Sequence, residues 1–299
     1  MTIKTSLSAD GPRPTTIRAK PVEAYSHISH PPHIGRLKSA TGQQATVEPL
    51  SIQVDNDGLV PGFLHMPPSF TNPPTTHHRT AAILLSGAGG GLTGPSSIYL
   101  SLACKLALLG DGIPTLRLDY RFPAHNKYCV EDVRATMKFL RDMYGLDKFV
   151  LVGWSFGSAP VFTVAGADDD YGRRVVGCAT VAGQTAEVEG IHRLAPRPVL
   201  LLHGTADRTL SPRCSQHLYE MYGDDGDRRI HLFEGDNHTL TQNARDAEEM
   251  LSRFIAECAG IKIGEREKTE VIDIKLVEID EREKLMNEGG DLRQPEHIE

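Results

Sequence analysis

Phe149-Val150-Leu151-Val152-Gly153-Trp154-Ser155-Phe156-Gly157 is the stretch on which the reading of this chain turns. Four consecutive apolar residues describe a short strand buried on both faces. The run then breaks into Gly-x-Ser-x-Gly and leads into a helical segment. Glycines on either side of the serine permit a sharp strand-to-helix turn that lifts the hydroxyl out at the top of a sheet. A serine hydroxyl alone is a weak nucleophile, so the turn predicts a base and an orienting acid elsewhere in the chain.

Both candidates lie downstream. The apolar run Pro198 to Leu202 ends in His203-Gly204-Thr205-Ala206-Asp207-Arg208. Functional groups of a parallel sheet gather at the carboxyl ends of its strands, which puts Asp207 on the same rim as Ser155. A carboxylate there can accept from one imidazole nitrogen and fix the tautomer whose other nitrogen faces the serine. Arg229 to Phe233 reads as the last strand, followed by Glu234-Gly235-Asp236-Asn237-His238. His238 is therefore the predicted general base, on the same rim. His203 and His231 fall in a strand-end turn and within the last strand, and His192 and His217 on surface segments. Asp236 is the alternative orienter, but it stands only two residues from His238, which makes a facing geometry awkward.

A tetrahedral intermediate also needs donors for its developing oxyanion. Two backbone amides are expected to supply them. One is that of Phe156, at the start of the helix. The other is that of Ala88, in the glycine-rich stretch Ser86-Gly87-Ala88-Gly89-Gly90-Gly91, with Gly89 as second choice and a substrate contact. That stretch lacks the Gly-Lys-Ser/Thr ending of a phosphate-binding loop and the full dinucleotide spacing. No cofactor is expected.

Further out, Val47 to Val54 and Leu59 to Met66 flank Asn56-Asp57-Gly58 and read as a hairpin. Ala81 to Leu85, Pro114 to Leu118 and Val175 to Val181 read as strands, and Ile98 to Leu109 as a helix. Val130, Val133, Met137, Leu140 and Tyr144 recur at helical spacing, as do Ala247, Leu251, Phe254, Ile255 and Cys258. Short apolar strands alternating with amphipathic helices predict an α/β domain over residues 45–260. Its sheet would be mostly parallel with an antiparallel edge, and helices would cover both faces. Residues 1–44, rich in Pro and Ser, are expected to be disordered. Residues 261–299 read as a charged tail in which Ile272, Ile274 and Leu276 alternate like a strand that could join a sheet edge.

These residues resemble the α/β-hydrolase superfamily over roughly residues 45 to 259. Ser155, Asp207 and His238 follow one another in that fold's order. The short layout is most similar to the dienelactone-hydrolase and small-esterase branch. The resemblance implies a serine hydrolase acting on a small carboxylic ester, thioester or lactone. Two departures stand out. Ser86 occupies a position where many members carry a histidine, so the support of the oxyanion loop differs. Ser155 replaces the cysteine nucleophile of dienelactone hydrolases proper. Asp119, in Leu118-Asp119-Tyr120-Arg121, matches a common structural turn. The interval Gly183 to Arg197 is too short for a cap domain, so an open site is expected, walled by Trp154, Phe156, Tyr120, Phe122 and Tyr128. Core packing is the competing reading of each aromatic.

Composition narrows the alternatives. A net charge of −7 gives no reason to expect nucleic acid. No apolar run approaches the roughly 20 residues that span a bilayer. The five cysteines are scattered, with no Cys-x-x-Cys pair, which argues against a disulfide framework or zinc site and fits a reducing, cytoplasmic compartment. A surplus of Lys and Arg over acids in the first 40 residues is a weak sign of an organelle transit segment. The histidines around Pro31-Pro32 and the pair His77-His78 have no carboxylate or cysteine at ligand spacing, and no metal is expected. Two other classes remain open at this level: a non-catalytic ligand-binding protein that keeps the fold, and an interaction protein that works through its tails.

Overall fold

The computed structural model describes residues 19–39, 42–74 and 79–294. Eight strands form one sheet: β1 (Thr46–Gln53), β2 (Leu59–Met66), β3 (Thr80–Leu85), β4 (Thr115–Leu118), β5 (Lys148–Trp154), β6 (Val175–Val181), β7 (Val199–Gly204) and β8 (Arg228–Phe233). Their order is β1-β2-β4-β3-β5-β6-β7-β8. The predicted hairpin is present, and β1 and β2 run antiparallel at one edge while β3 to β8 are parallel.

The layers follow from strand periodicity. Phe149 and Leu151 of β5 face a core shared with α2 (Asn126–Tyr144) and α3 (Ser158–Ala165), where Val133, Met137, Leu140 and Phe162 are buried. Val150, Val152 and Trp154 point the other way, into a core shared with α1 (Ile98–Leu106) and α6 (Ala244–Cys258). A central strand with both faces covered must be apolar throughout, hence the continuous run in the sequence. Each fully buried side chain of this size contributes about 1.5–3 kcal/mol. By contrast β8, at the far edge, alternates half-buried and exposed residues. Two helices complete the domain: α4 (Asp170–Arg174) and α5 (Arg213–Tyr222).

The chain ends differ from expectation. Residues 22–28 form a 3-10 helix whose Val22, Tyr25 and Ile28 are buried. These side chains recur every third residue, the period of that helix, so one face docks on Phe63, Leu92, Leu100 and Leu285. Arg117, fully buried, donates to the Ile28 and Ser29 carbonyls at 3.1 and 2.8 Å and to the Leu92 carbonyl at 3.0 Å. The part of the expected disordered segment that is described is therefore ordered by packing. At the other end no strand forms among the described residues. Residues 265–289 make α7 (Glu265–Glu267), a π-helical turn over Lys268–Ile272, and α8 (Arg282–Gly289). Val271, Ile272, Leu276 and Met286 enter the α1–α6 core, and Lys105 Nζ donates to the Ile272 carbonyl at 2.8 Å. Ile272, Ile274 and Leu276 do all pack on this core, but from the end of the π-helical turn and the irregular chain after it.

Among the described residues no helix is long and apolar enough to cross a membrane. All five cysteines are unbridged thiols, and burial pushes those of Cys104, Cys178 and Cys258 up to about 12. The pair His77-His78 lies outside the described residues.

Candidate active site

The parallel register brings four loops to one rim. Leu85 pairs with Gly153, Gly153 with Thr180, Val181 with Leu202, and Gly204 with Phe233. The segments after β3, β5, β7 and β8 therefore leave the sheet on the same side, and these segments carry Ser86–Gly94, Ser155, Asp207 and His238.

Ser155 adopts φ +53, in the left-handed region that few side chains other than glycine occupy. The turn is held by its own carbonyl, which accepts from the Ser158 hydroxyl at 2.9 Å and the Gln184 amide at 3.3 Å. Gly157 makes the crossing possible. A Cβ there would lie 2.7 Å from the Ser86 carbonyl oxygen and 2.8 Å from that of Leu85, so the turn rests directly on the root of the glycine-rich loop. Gly157→Val is expected to cost about 3 kcal/mol, since backbone rather than a flexible side chain must give way. Urea unfolding of the purified variant checks this, and an unchanged midpoint would contradict it.

Asp207 is the better-connected of the two candidate acids. Its Oδ2 stands 2.7 Å from His238 Nδ1 and 3.0 Å from His203 Nε2. Its Oδ1 accepts the Thr209 and Leu210 amides, both at 2.8 Å. Burial alone would raise this carboxyl, but the two imidazoles and the backbone donors outweigh it and hold the group well below the usual carboxylate range. An ionised carboxylate only accepts, so His238 carries its proton on Nδ1 and leaves Nε2 with a lone pair. Asp236 does not serve His238. Its oxygens accept the Asn237, Gln242 and Asn243 amides and the Asn243 side chain, tying down the loop before α6.

His203 is a second imidazole neighbour of Asp207. Its Nδ1 lies 2.7 Å from the Ser215 hydroxyl, and its Nε2 points at Asp207 and, at 3.0 Å, at the Leu210 carbonyl. With Nε2 donating and Nδ1 accepting, every polar atom is matched. The signal available was the four-residue spacing to Asp207 from the end of β7.

Among the aromatic residues, Trp154, Tyr120 and Phe122 are buried. Trp154 packs beside the His238 ring, with centroids 5.6 Å apart, and its Nε1 donates to the His238 carbonyl at 3.1 Å. Tyr120 Oη donates to the Ser86 carbonyl at 3.2 Å, and its ring meets Phe156 edge-on. Both side chains brace the rim through these contacts. Phe156 is also buried, and Tyr128 packs against Phe122 at a tilt with centroids 4.7 Å apart. No cap domain is inserted at Gly183 to Arg197, which carries only a 3-10 turn over Glu189–Arg193. The site is nevertheless shielded: Ser155 is 5% exposed and His238 0%.

The glycine-rich loop turns tightly, its Gly90 amide donating to the Gly87 carbonyl at 3.0 Å, and Ala88 is its least buried residue. Asp119 supports it as a turn element does, accepting the Gly91 and Tyr120 amides at 2.8 and 2.7 Å. Arg293 Nη2 donates to the same oxygen at 2.6 Å, and Tyr25 Oη to the other at 3.1 Å.

Comparison with known proteins agrees with this architecture. The profile of the alpha/beta hydrolase fold matches residues 110–218. No curated protein matches the chain in sequence. Esterase 2 of Thermogutta terrifontis, solved in a form phosphorylated by paraoxon, is similar in structure with TM-score 0.60 at 15% identity, over 75% of this chain and 99% of that one. A dienelactone hydrolase from Anabaena variabilis gives 0.59 at 15% identity, over 72% and 99%. A lidless α/β serine hydrolase from Xanthomonas campestris gives 0.54 at 16%, over 72% and 94%. The chain has the α/β-hydrolase fold, and its structural neighbours include the branch that its sequence resembles.

Proposed function

We propose that this protein hydrolyses a small carboxylic ester, thioester or lactone through an acyl-serine intermediate. Ser155 is the nucleophile, His238 the general base and acid, and Asp207 the orienting carboxylate. The observation that carries the reading is the Asp207–His238 hydrogen bond of 2.7 Å on the rim that also bears the left-handed Ser155 turn.

In this mechanism His238 Nε2 takes the Ser155 proton as Oγ attacks the carbonyl carbon. Negative charge moves to the carbonyl oxygen, where the backbone amides of Phe156 and Ala88 receive it. One such donor is worth about 10²–10³ in rate. The tetrahedral species collapses, the carbon–oxygen bond to the leaving group breaks, and the alcohol departs with the proton from His238. Water then repeats the sequence: His238 removes its proton, hydroxide adds to the acyl carbon, and Ser155 leaves with that proton restored. Asp207 stays ionised and stabilises the imidazolium formed in each half.

Shielding of Ser155 favours short acyl groups, and the lone thiols fit a reducing compartment such as the cytoplasm. The test is a panel of 4-nitrophenyl esters from acetate to decanoate, with thioester and lactone counterparts. Turnover that is highest for the shortest acyl chains is expected. A well-folded protein that turns over no member of the panel would reject the proposal.

A further inference from the structure

The glycine-rich loop contains little that could fix its own shape. Glycine brings the greatest backbone freedom of any residue, and here three stand together at 89–91. An amide that must meet a developing oxyanion needs a fixed position, because preorganisation is the source of its effect. The constraint comes from the opposite end of the chain. Gly290 closes α8 in the left-handed conformation (φ +84) and turns Asp291 inward, where it is fully buried.

Among the described residues, five side-chain hydrogen bonds of Asp291 run to the two ends of the loop. Oδ1 accepts the Ser86 hydroxyl and, at 2.7 Å, the Gly94 amide. Oδ2 accepts the Leu92 amide at 3.2 Å, the Thr93 amide at 3.0 Å and the Thr93 hydroxyl at 2.8 Å. The Leu92 amide also donates to the Gly289 carbonyl at 3.2 Å. Gly91, at φ +114, presses on the same residue: a Cβ there would fall 2.4 Å from Asp291 Cγ. Arg293, two residues on, anchors Asp119, which in turn holds the Gly91 amide. Burial pushes the Asp291 carboxyl up to about 6 against the pull of its donors, so at neutral pH it is the acceptor those donors require.

We propose, on the reading that Ala88 supplies an oxyanion amide, that Asp291 is a positioning residue for that amide. The C-terminal segment thereby completes the hydrolytic site. Ser86, standing where many proteins of this fold carry histidine, is then the first link of the support rather than a defect in it.

The chemistry of the contacts selects the test. Each Asp291 oxygen faces at least one backbone N–H, so an amide side chain in either orientation sets its NH₂ against a donor. Asp291→Asn is therefore nearly isosteric yet disruptive. Its kcat on a short-chain 4-nitrophenyl ester should fall about 10²-fold, the scale of one lost oxyanion donor. KM should change by less than about threefold, because ground-state binding does not use the oxyanion contact. Affinity for a trifluoromethyl ketone, which forms a tetrahedral adduct, should fall in parallel with kcat, a result that general loosening of the fold would not give. Wild-type kcat and ketone affinity in a folded Asp291→Asn would overturn the inference. If that variant does not fold, Ser86→Ala and Thr93→Ala carry the test, since each deletes one bond and leaves the rest. Each should lower kcat at least threefold with KM kept, and unchanged kcat in both would overturn the inference equally. An active wild type with unaffected variants removes this inference alone, whereas an inert wild type removes the hydrolase reading and this one with it.

Discussion

Ser155→Ala is expected to remove ester turnover almost completely, with kcat lowered on the order of 10⁶-fold and folding stability nearly unchanged. The size follows from the role. Without Oγ no acyl-enzyme can form, and only direct attack by water remains, assisted by the donors around it. Unchanged stability rests on two facts. The Ser155 carbonyl keeps its partners, Ser158 Oγ and the Gln184 amide, whatever the side chain. Alanine at φ +53 bears a left-handed strain close to that of serine. A substitution that eliminates turnover while the unfolding midpoint stays within experimental error identifies a chemical role. A loss of both together would point to a turn that merely needs serine. Steady-state kinetics and urea unfolding on the same preparation separate these outcomes.

Asp207→Asn is the second large effect, with kcat expected to fall on the order of 10⁴-fold. Thr209 and Leu210 both donate to Oδ1, so the carboxamide oxygen must occupy that side. Its NH₂ is then directed at His238 Nδ1. That nitrogen can accept only if the proton moves to Nε2, and an Nε2–H cannot serve as a base toward Ser155. The same NH₂ opposes the donating His203 Nε2, so the change also disturbs the second imidazole. A pH signature accompanies it. The Asp207 carboxyl is depressed in the folded protein, so its contribution to stability is complete above the unfolded value of about 4. It is lost as pH falls from there toward the folded value. Wild type should therefore lose more stability than Asp207→Asn between pH 5 and pH 2.5 in urea titrations. Parallel acid profiles would contradict the assigned ionisation.

Much of this arrangement could be read in the sequence because the central strands carry an unambiguous signal. Phe149 to Val152, Ala81 to Leu85 and Pro198 to Leu202 are continuous apolar runs because helices cover both faces of the sheet. The residues after such strands must emerge on one rim, so Ser155, Asp207 and His238 could be located without coordinates. What was hidden is long-range or periodic in an unfamiliar way. Nothing near Ser86 signals Asp291, which lies 205 positions away. The three-residue spacing of Val22, Tyr25 and Ile28 marks a 3-10 helix, but Pro and Ser around it give the composition of a loop. Ile272, Ile274 and Leu276 satisfy a strand period and all pack on one core, but a π-helical turn over Lys268–Ile272 and irregular chain beyond it carry them, and Val271 and Val277 are buried as well. Trp154 and Tyr120 show a further limit. An aromatic residue flanking a reactive side chain can support it from below as readily as line a pocket, and sequence does not distinguish the two.

The central claim is that an activated hydroxyl at residue 155 shares a rim with an imidazole held by a carboxylate. It is tested most directly by exposing the native protein to a fluorophosphonate and mapping the adduct by peptide mass spectrometry. The account predicts one stoichiometric phosphonyl group on Ser155, absent in Ser155→Ala and formed at a greatly reduced rate in His238→Ala. Modification of another residue, or no modification of a folded wild-type protein, would contradict it.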